Sequence, residues 1–476
     1  MDPRRLVRQS AVEWRIEPHG AMRVPGIFLA TEDLIRIMED EVYYQIVQVA
    51  ALPGLVEGVY VMPDARRGYG FPRGAVAAFD PEQGGIIVSG GIGIDIAWGV
   101  RVLHTGLNLT HLLSCREALA DSLHTMIPNS NGVRELRLTG RGMDAMLRGG
   151  ARWATEMGYG SLADLEHLEE QGWVRDADPS QVSELAKTRQ LEEMGTLRSP
   201  NHSLEVQRVA QVYDRRIAGA LGVQLDDITI SIRCGSHGLG QQIGVDYCRQ
   251  LMTVAKRHGI ALSDRHLACA PLDSEIGQRY LGAIRASINC ALANRQVLTH
   301  LARRIFARLF PEAWLQVLYD VSYNTCRPET HVVESQPRTL YVHRRGASRA
   351  YGPGHPDLPP AWRDIGQPGL ISGAVNTASY ITVATASNQE QAFGSSCHGT
   401  VGPAPNPSWT DRVWRGLEPL DVLRRLGTLI RGPALSGVVE NTPQVGSDFG
   451  VIADAAEQAG LARRVARLEP LIHIRG

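Results

Sequence analysis

The spacing of apolar residues divides the first part of the chain into helical and extended stretches. Residues 24–54 predict a strand or turn followed by a helix, because apolar positions recur at roughly helical spacing until Pro53 and Gly54 end the pattern. Short β-branched runs at 59–61, 86–88 and 100–103 then alternate with glycine-rich stretches. This alternation predicts strands joined by loops in which the backbone can approach a ligand closely.

The rest of the chain mixes both patterns without a regular βαβ period. Residues 107–195 predict mainly helix, and 277–310 predict one long helix that Pro311 ends. Residues 226–240 predict a strand running into a glycine-rich turn, and three β-rich pieces follow the long helix. A short helix and a final strand are expected near the C-terminus. With no internal repeat and no long linker, these elements predict one large α/β (α+β) body with insertions.

Composition narrows the class of protein. The chain has 476 residues, 43% of them hydrophobic, which is ordinary for a globular protein. Lys plus Arg number 49 against 50 for Asp plus Glu, so the net charge of −1 provides no general attraction to nucleic acid or membranes, and any polyanion site must be local. Seven scattered cysteines with no CxxC pair, no signal-like stretch and no apolar run of membrane-spanning length lead us to expect a cytoplasmic protein.

Three short contexts contain residues suited to metal or phosphate chemistry. They are GIGIDIAWG with Asp95, PNHSLE with Asn201, His202 and Glu205, and SSCHG with Cys397 and His398. Carboxylate and imidazole are good ligands for divalent Mn or Zn, and an imidazole nitrogen can attack phosphorus. Each residue also has a structural interpretation, as a turn cap or a satisfied core side chain. SGGIGID is neither a dinucleotide fingerprint nor a phosphate loop with its lysine.

Nine blocks resemble, in order and spacing, successive blocks of the RtcB family. They are MPDARRGYGFPRGAVAAFD, SGGIGIDIAWGVRVL, GYGSLADLEHLEEQG, MGTLRSPNHSLEVQ, IRCGSHGLGQQ, LACAPLDSEIGQRYLGAIRASINCALANRQ, YVHRRGASRAYGPGH, FGSSCHG and RRVARLEPLIHIRG. The resemblance runs from near Gly20 to Gly476. It implies a single RtcB-like domain over 1–476, with a helical insertion at roughly 107–195. The implied fold has a β-rich core, surrounding helices and a deep active-site cleft.

The resemblance also implies a function. Members of this family join an RNA 3′-phosphate or 2′,3′-cyclic phosphate to a 5′-hydroxyl, using GTP and manganese. By position, His398 matches the histidine that is guanylylated, and Asp95 and His202 match metal ligands. Residues at nucleotide-contact positions are Asn201, Glu205, Ala374, Asn376 and Arg475. The implied partners are RNA ends, including those of tRNA, and an archease-like activator.

Three metal-ligand positions of the family are altered together. Trp98 stands where the family has a cysteine, and Arg233 and Tyr323 stand where it has histidines. These side chains are poor ligands, so we expect at most one manganese ion, with Arg233 as a hypothetical fixed charge in place of the other. Further departures are Arg66, His237 and Gln241 in place of His, Arg and His, and Gly402 in place of a phosphate-facing arginine.

Two functional hypotheses therefore stay open. In the first, the chain is an RNA ligase with a degenerate metal site and a retained guanylylation step. In the second, it is a divergent paralogue that binds RNA or a partner, or that runs a different reaction in the same pocket. The sequence leaves open the substrate, the metal and the oligomeric state.

Overall fold

The fold was analysed in a computed structural model. It describes residues 1–127, 138–199, 201–373, 376–399, 427–432 and 450–475. Within these ranges, no helix is both long enough and apolar enough to cross a membrane.

Seventeen strands can be assigned in the described ranges. They are β1 (Val7–Arg8), β2 (Glu13–Ile16), β3 (Gly26–Leu29), β4 (Leu55–Arg66), β5 (Arg73–Phe79), β6 (Ile86–Val88), β7 (Gly99–Asn108), β8 (Ser203–Val212), β9 (Asp227–Cys234), β10 (Cys269–Pro271), β11 (Gln316–Val333), β12 (Gln336–Arg349), β13 (Pro368–Ile371), β14 (Ser379–Ala384), β15 (Ser395–Cys397), β16 (Leu429–Arg431) and β17 (Ala462–Arg475).

Eleven α-helices can be assigned in the same part of the chain, together with several short 3-10 helices. They are α1 (Glu32–Ile37), α2 (Asp40–Val49), α3 (Leu109–Leu113), α4 (Arg116–Met126), α5 (Gly140–Glu156), α6 (Leu162–Leu165), α7 (Glu184–Glu193), α8 (Arg215–Ala220), α9 (His237–Arg257), α10 (Glu275–Leu309) and α11 (Gly450–Gln458).

Fifteen of the strands form one sheet. Its order is β1-β2-β3-β4-β5-β12-β11-β7-β9-β8-β17-β14-β13, with β15 added beside β12 and β16 beside β17, whereas β6 and β10 form a separate pair. Most pairs are antiparallel, and strands distant in sequence become neighbours, as in β8 with β17. The chain therefore has mixed α/β content built around one large sheet. The prediction of a single domain stays a prediction, supported by this sharing of strands.

A buried ion cluster fixes the loop between β6 and β7 against the sheet. Arg101 and Arg295 bind Asp320 at 2.8 Å each, and none of the three side chains is exposed. Arg295 on α10 also donates to the backbone oxygens of Ala97, at 3.0 Å, and Cys234, at 2.9 Å. Because a buried charge must be paired and hydrogen-bonded, these contacts hold the end of that loop beside the end of β9.

The apolar spacing predicted most elements, with two differences. The single helix expected before Pro53 is two helices, since the backbone of Met38 and Glu39 is extended. The glycine-rich turn expected after β9 is the first turn of α9, which begins at His237. The long helix matches α10, whose N-cap is Ser274.

Candidate active site

Asp95 sits on the loop between β6 and β7, facing the first turn of α9. Its Oδ1 accepts a hydrogen bond of 2.8 Å from the backbone N–H of His237, the first residue of that helix. A carboxylate is favoured there because the helix N-terminus carries unpaired N–H groups and a partial positive charge. The side-chain amide of Asn324 donates to the backbone oxygen of Asp95 at 3.0 Å. The loop is therefore held from two sides.

His202 immediately precedes β8, and its imidazole ring contacts the carboxylate of Asp95. Its Nε2 lies 3.1 Å from Oδ2 of Asp95 and 3.1 Å from the backbone N–H of Gly235. An imidazole nitrogen that accepts from Gly235 has no proton to donate to Asp95. The pair thus brings a carboxylate oxygen and an imidazole nitrogen within 3.1 Å of each other, and a cation bound by Nε2 would have to displace the hydrogen bond from Gly235.

A protonatable histidine lies beside this pair. The ring of His237 is 5.8 Å from that of His202, and its Nδ1 is 3.7 Å from Glu193. Hydrogen bonding to Glu193 raises the pKa of His237 above its usual value. Burial alone would raise the pKa of Glu193, but its bonds to His237 and to the backbone of Gly238 hold that pKa below its usual range. The position thus carries positive charge more readily than an ordinary histidine.

Glu205 and Arg233 form a buried ion pair on the adjacent strands β8 and β9. Nη2 of Arg233 lies 3.1 Å from Oε2 of Glu205, and the two side chains are 8% and 2% exposed. His473 on β17 binds the other oxygen of Glu205 at 2.9 Å, and Gln207 donates to Oε2 at 2.9 Å. Burial alone would raise the pKa of Glu205, yet the charge of Arg233 and the bond from His473 lower it.

This pairing bears on the hypothesis that Arg233 replaces a metal charge. The guanidinium also donates to the backbone oxygen of Gly373 at 3.4 Å and to the hydroxyl of Ser379 at 3.3 Å. Its positive charge is matched by the carboxylate of Glu205, so little net charge is left to face a ligand. Glu205 was expected near the nucleotide, but both of its carboxylate oxygens are bound by protein groups in the interior.

Aromatic rings fill the space around the remaining altered positions. The rings of Trp98 and Tyr323 are 5.4 Å apart, and they lie 5.6 Å and 4.9 Å from the ring of His398. The Tyr323 hydroxyl donates to the backbone oxygen of Leu370 at 3.2 Å, and burial raises the pKa of this tyrosine far above its usual range. Tyr323 is therefore a neutral phenol whose proton is already used, and a poor metal ligand.

His398 follows β15 and is paired with a carboxylate that the sequence analysis did not single out. Its Nδ1 lies 2.9 Å from Oδ2 of Asp64 on β4, with side-chain exposures of 6% and 0%, although the two atoms are not aligned as a hydrogen bond. The backbone oxygen of His398 accepts from Ser372 at 2.8 Å. Asp64 lies within the block MPDARRGYG, where the only sequence signal was an aspartate after a buried β-branched run.

Glycine at position 346 lets the strands approach this histidine. Gly346 has φ of +63°, and a Cβ there would lie 3.3 Å from Cε1 of His398. The neighbouring Cys397 is buried, which raises the pKa of its thiol well above the usual value. The imidazole, rather than the thiol beside it, is thus the available nucleophile of this pair.

The other residues predicted to contact the nucleotide do not form a cluster with these groups in the described part of the chain. Asn201 is exposed beside His202, and Asn376, with φ of +65°, accepts a hydrogen bond from the Thr428 hydroxyl. Arg475 is 7% exposed and lies opposite Ser203 in the pairing of β17 with β8. Ala374 and Gly402 lie outside the described residues.

Known proteins resemble this chain over most of its length. The family model described as tRNA-splicing ligase RtcB matches residues 45–476. The chain belongs to the RtcB family. The tRNA-splicing ligase RtcB of Archaeoglobus fulgidus is 39% identical over 455 residues, covering 94% of each chain. That of Thermococcus kodakarensis is 39% identical over 98% of each chain. The RNA-splicing ligase RtcB of Mycobacterium tuberculosis is 41% identical over 91% of this chain and all of its own.

The RtcB-like site fits a divalent ion only in part. Asp95 and His202 offer two ligand atoms, and water or a phosphate oxygen can complete the coordination of a hard cation. No group of three or more His, Cys, Asp or Glu side chains is arranged to hold a metal among the residues described. At the positions of Trp98, Arg233 and Tyr323, two aromatic rings and a paired guanidinium leave no ligand set for a second ion.

Proposed function

We propose that this chain is an RNA ligase of the RtcB type that retains nucleotide transfer through His398 and works with at most one manganese ion. Its substrates are an RNA 3′-phosphate or 2′,3′-cyclic phosphate end and a 5′-hydroxyl end, with GTP as co-substrate. The relatives' names support tRNA among the RNAs joined. An archease-like activator and action in the cytoplasm belong to the same proposal.

The pair of His398 with Asp64 carries this proposal. A small rotation lets the Nδ1 proton bind Asp64, which places the lone pair of the imidazole on Nε2. Nε2 then attacks the α-phosphorus of GTP, so that an N–P bond forms and the bond to pyrophosphate breaks. The carboxylate of Asp64 stabilises the positive charge that develops on the ring. Asp64 is buried, so this stabilisation is little screened by water.

The later steps use the same histidine as a leaving group. A 2′,3′-cyclic phosphate is first opened by water to a 3′-phosphate. An oxygen of the 3′-phosphate then takes GMP as the N–P bond to His398 breaks, and the 5′-hydroxyl attacks the 3′-phosphorus and releases GMP. Trp98 and Tyr323 pack against the imidazole and limit the access of water to it. A divalent ion held by Asp95 and His202 would neutralise phosphate charge when bound.

Labelling of the protein with GTP tests the proposal. Purified chain is incubated with manganese and GTP labelled at the α-phosphate, and label is followed on the denatured protein. We expect acid-labile labelling that disappears in His398→Ala and persists in His258→Ala, an exposed histidine at the end of α9. Absence of label from the folded wild type would overturn the ligase proposal. RNA binding without labelling would favour the divergent, binding paralogue instead.

The number of metal ions is tested by restoring the family's ligands. The wild type should bind no more than one manganese ion per chain in equilibrium dialysis. The triple variant Trp98→Cys, Arg233→His, Tyr323→His should gain a second, because thiolate and imidazole are competent ligands. Two tightly bound ions in the wild type would contradict the single-ion part of the proposal.

A further inference from the structure

Three arginines lie on one face of three neighbouring strands, beside the candidate nucleophile. Arg66 at the end of β4 and Arg73 at the start of β5 are directly opposite each other in the strand pairing. Arg345 on β12 is opposite Ala75, two residues from Arg73 on the same strand. Residues directly opposite share a face, as do residues two apart on a strand. Like charges so placed repel, and such a pairing is unfavourable unless an anion offsets it.

Arg345 is the most enclosed of the three. The residue is 5% exposed, its Nε has no hydrogen-bond partner in the described structure, and Nη1 makes a long bond of 3.4 Å to the backbone oxygen of Ile92. The guanidinium lies over Gly93, where a Cβ would come within 1.6 Å of Nη1. A buried guanidinium with unused donors is costly, which indicates a ligand that satisfies them.

No carboxylate among the described residues forms an ion pair with this cluster. The acidic groups near it are held elsewhere: Asp64 by His398, Asp95 by His202 and the backbone of α9, and Glu39 by the backbone N–H of Arg67. Tyr69 also faces the cluster. Burial, and repulsion from Arg73, lower the pKa of Arg66 and of Arg345 to about 10 each. Both guanidinium groups remain charged at neutral pH, and neither is neutralised by a carboxylate in the described part of the chain.

The cluster adjoins the nucleophile through the backbone of Gly346. A Cβ at Gly346 would lie 3.4 Å from Cβ of Arg73 and 3.3 Å from Cε1 of His398. The base of the Arg73 side chain and the imidazole of His398 therefore flank the same glycine, which places the cluster and the histidine side by side on the sheet.

We propose that Arg66, Arg73 and Arg345 form a phosphate-binding site that holds a terminal phosphate monoester next to His398. Guanidinium groups bind phosphate oxygens through paired, charge-assisted hydrogen bonds, and three of them match the charge and donor needs of a dianion. The identity of the substrate rests on the proposed RNA-ligase function, whereas the phosphate site does not. The phosphate can come from an RNA 3′ end or from a nucleotide, and the two sources share this chemistry.

Binding without turnover tests the proposal. Fluorescence anisotropy is measured in EDTA, without GTP and at fixed salt, for two RNA oligonucleotides of one sequence that end in a 3′-phosphate or a 3′-hydroxyl. We expect the 3′-phosphate RNA to bind about tenfold or more tightly. Arg73→Gln and Arg66→Gln should remove most of that preference, and Arg257→Gln, at an exposed position on α9, should keep it. Displacement of a fluorescent GTP analogue by inorganic phosphate forms the nucleotide arm.

Two glycine variants test the geometry without removing a charge. Gly93→Ala places a methyl group on the guanidinium of Arg345 and should weaken binding of the 3′-phosphate RNA as Arg345→Gln does. Gly84 also has a positive φ, +75°, but no atom lies within 4 Å of its would-be Cβ. Gly84→Ala therefore controls for backbone strain and should leave the binding preference unchanged.

The outcomes separate clearly. Arginine-dependent preference for the 3′-phosphate RNA supports the site with RNA as its source, and arginine-dependent binding of the GTP analogue alone supports it with a nucleotide source. If folded Arg66 and Arg73 variants change neither, the proposal is overturned. Where a variant does not fold, protection of the partly exposed Arg66 and Arg73 of the wild type from phenylglyoxal by inorganic phosphate, read by mass spectrometry, decides the matter. Absence of protection overturns the proposal. The binding assay contains no GTP, so failure of GTP labelling leaves this test intact.

Discussion

Replacing Arg233 by methionine should destabilise the fold, because it leaves the buried carboxylate of Glu205 without its ion-pair partner. The separation of 3.1 Å between Arg233 and Glu205 gives an attraction of about 5 kcal/mol at an effective dielectric constant of 20. Removing one partner of a buried pair costs about 3 to 5 kcal/mol. His473 and Gln207 still bind Glu205 in the variant, so we expect a loss of about 3 kcal/mol in the free energy of unfolding.

A double-mutant cycle isolates this interaction. Arg233→Met, Glu205→Gln and the double variant are unfolded in urea at pH 7 and followed by tryptophan fluorescence. The double variant should recover to within about 1 kcal/mol of the wild type, since no unpaired charge remains. Arg152→Met serves as the control, because the Arg152–Glu156 pair on α5 is 55% and 60% exposed and should contribute under about 1 kcal/mol.

The cycle also decides what the charge at position 233 is for. If Arg233→Met costs under about 1 kcal/mol, or if the double variant is as unstable as the single one, the guanidinium is not committed to Glu205. The hypothesis that Arg233 replaces a metal charge would then be favoured. The contacts of Arg233 with Glu205, Gly373 and Ser379 lead us to expect the opposite result.

Two further predictions concern the nucleophile and the acid stability of the core. Asp64→Asn should slow the labelling of His398 by about 100-fold, measured as an initial rate, and an unchanged rate would mean that Asp64 does not orient the ring. Burial lowers the pKa of His343 to about 4, so the unfolded chain binds its proton first. The free energy of unfolding should therefore fall by on the order of 3 kcal/mol as pH drops from about 6.5 toward 4. The fall should be smaller in His343→Gln. Urea midpoints of both proteins at pH 7 and pH 5 would show the difference. Equal pH dependence of both proteins would exclude His343 as the cause.

The local elements were predictable because their signals are local. The apolar spacing of α10 and its stop at Pro311, and the β-branched runs that became β4, β6 and β7, follow from backbone and side-chain preferences within short windows. The start of α9 was not predicted, because it depends on a residue distant in sequence. GSHGLG contains the glycines of a turn, and its helical state depends on Asp95, which accepts from the backbone of His237.

Local sequence context marked Asp95, His202 and His398 as candidates, and the family resemblance assigned each a role, but neither predicted contacts between distant segments. Asp64 lies more than 300 residues from its partner His398 along the chain, and no spacing in the sequence connects them. The role of Arg233 depends on its ion pair with Glu205. The two residues lie on different strands, β9 and β8, which become neighbours only in the folded sheet. The facing of Arg66 and Arg73 likewise follows from the register of β4 with β5, which an irregularity shifts just before Arg66.

The position of β17 in the sheet ties assembly of the site to the order of synthesis. This strand spans residues 462–475 yet lies between β8 and β14, which are made long before it. Until it emerges from the ribosome, both neighbours keep an open edge on that side, and Glu205 lacks its bond from His473. A growing chain thus carries His398 and the three clustered arginines before the sheet behind them is complete. Nascent protein should depend on shielding from aggregation over that interval and should be inactive through it.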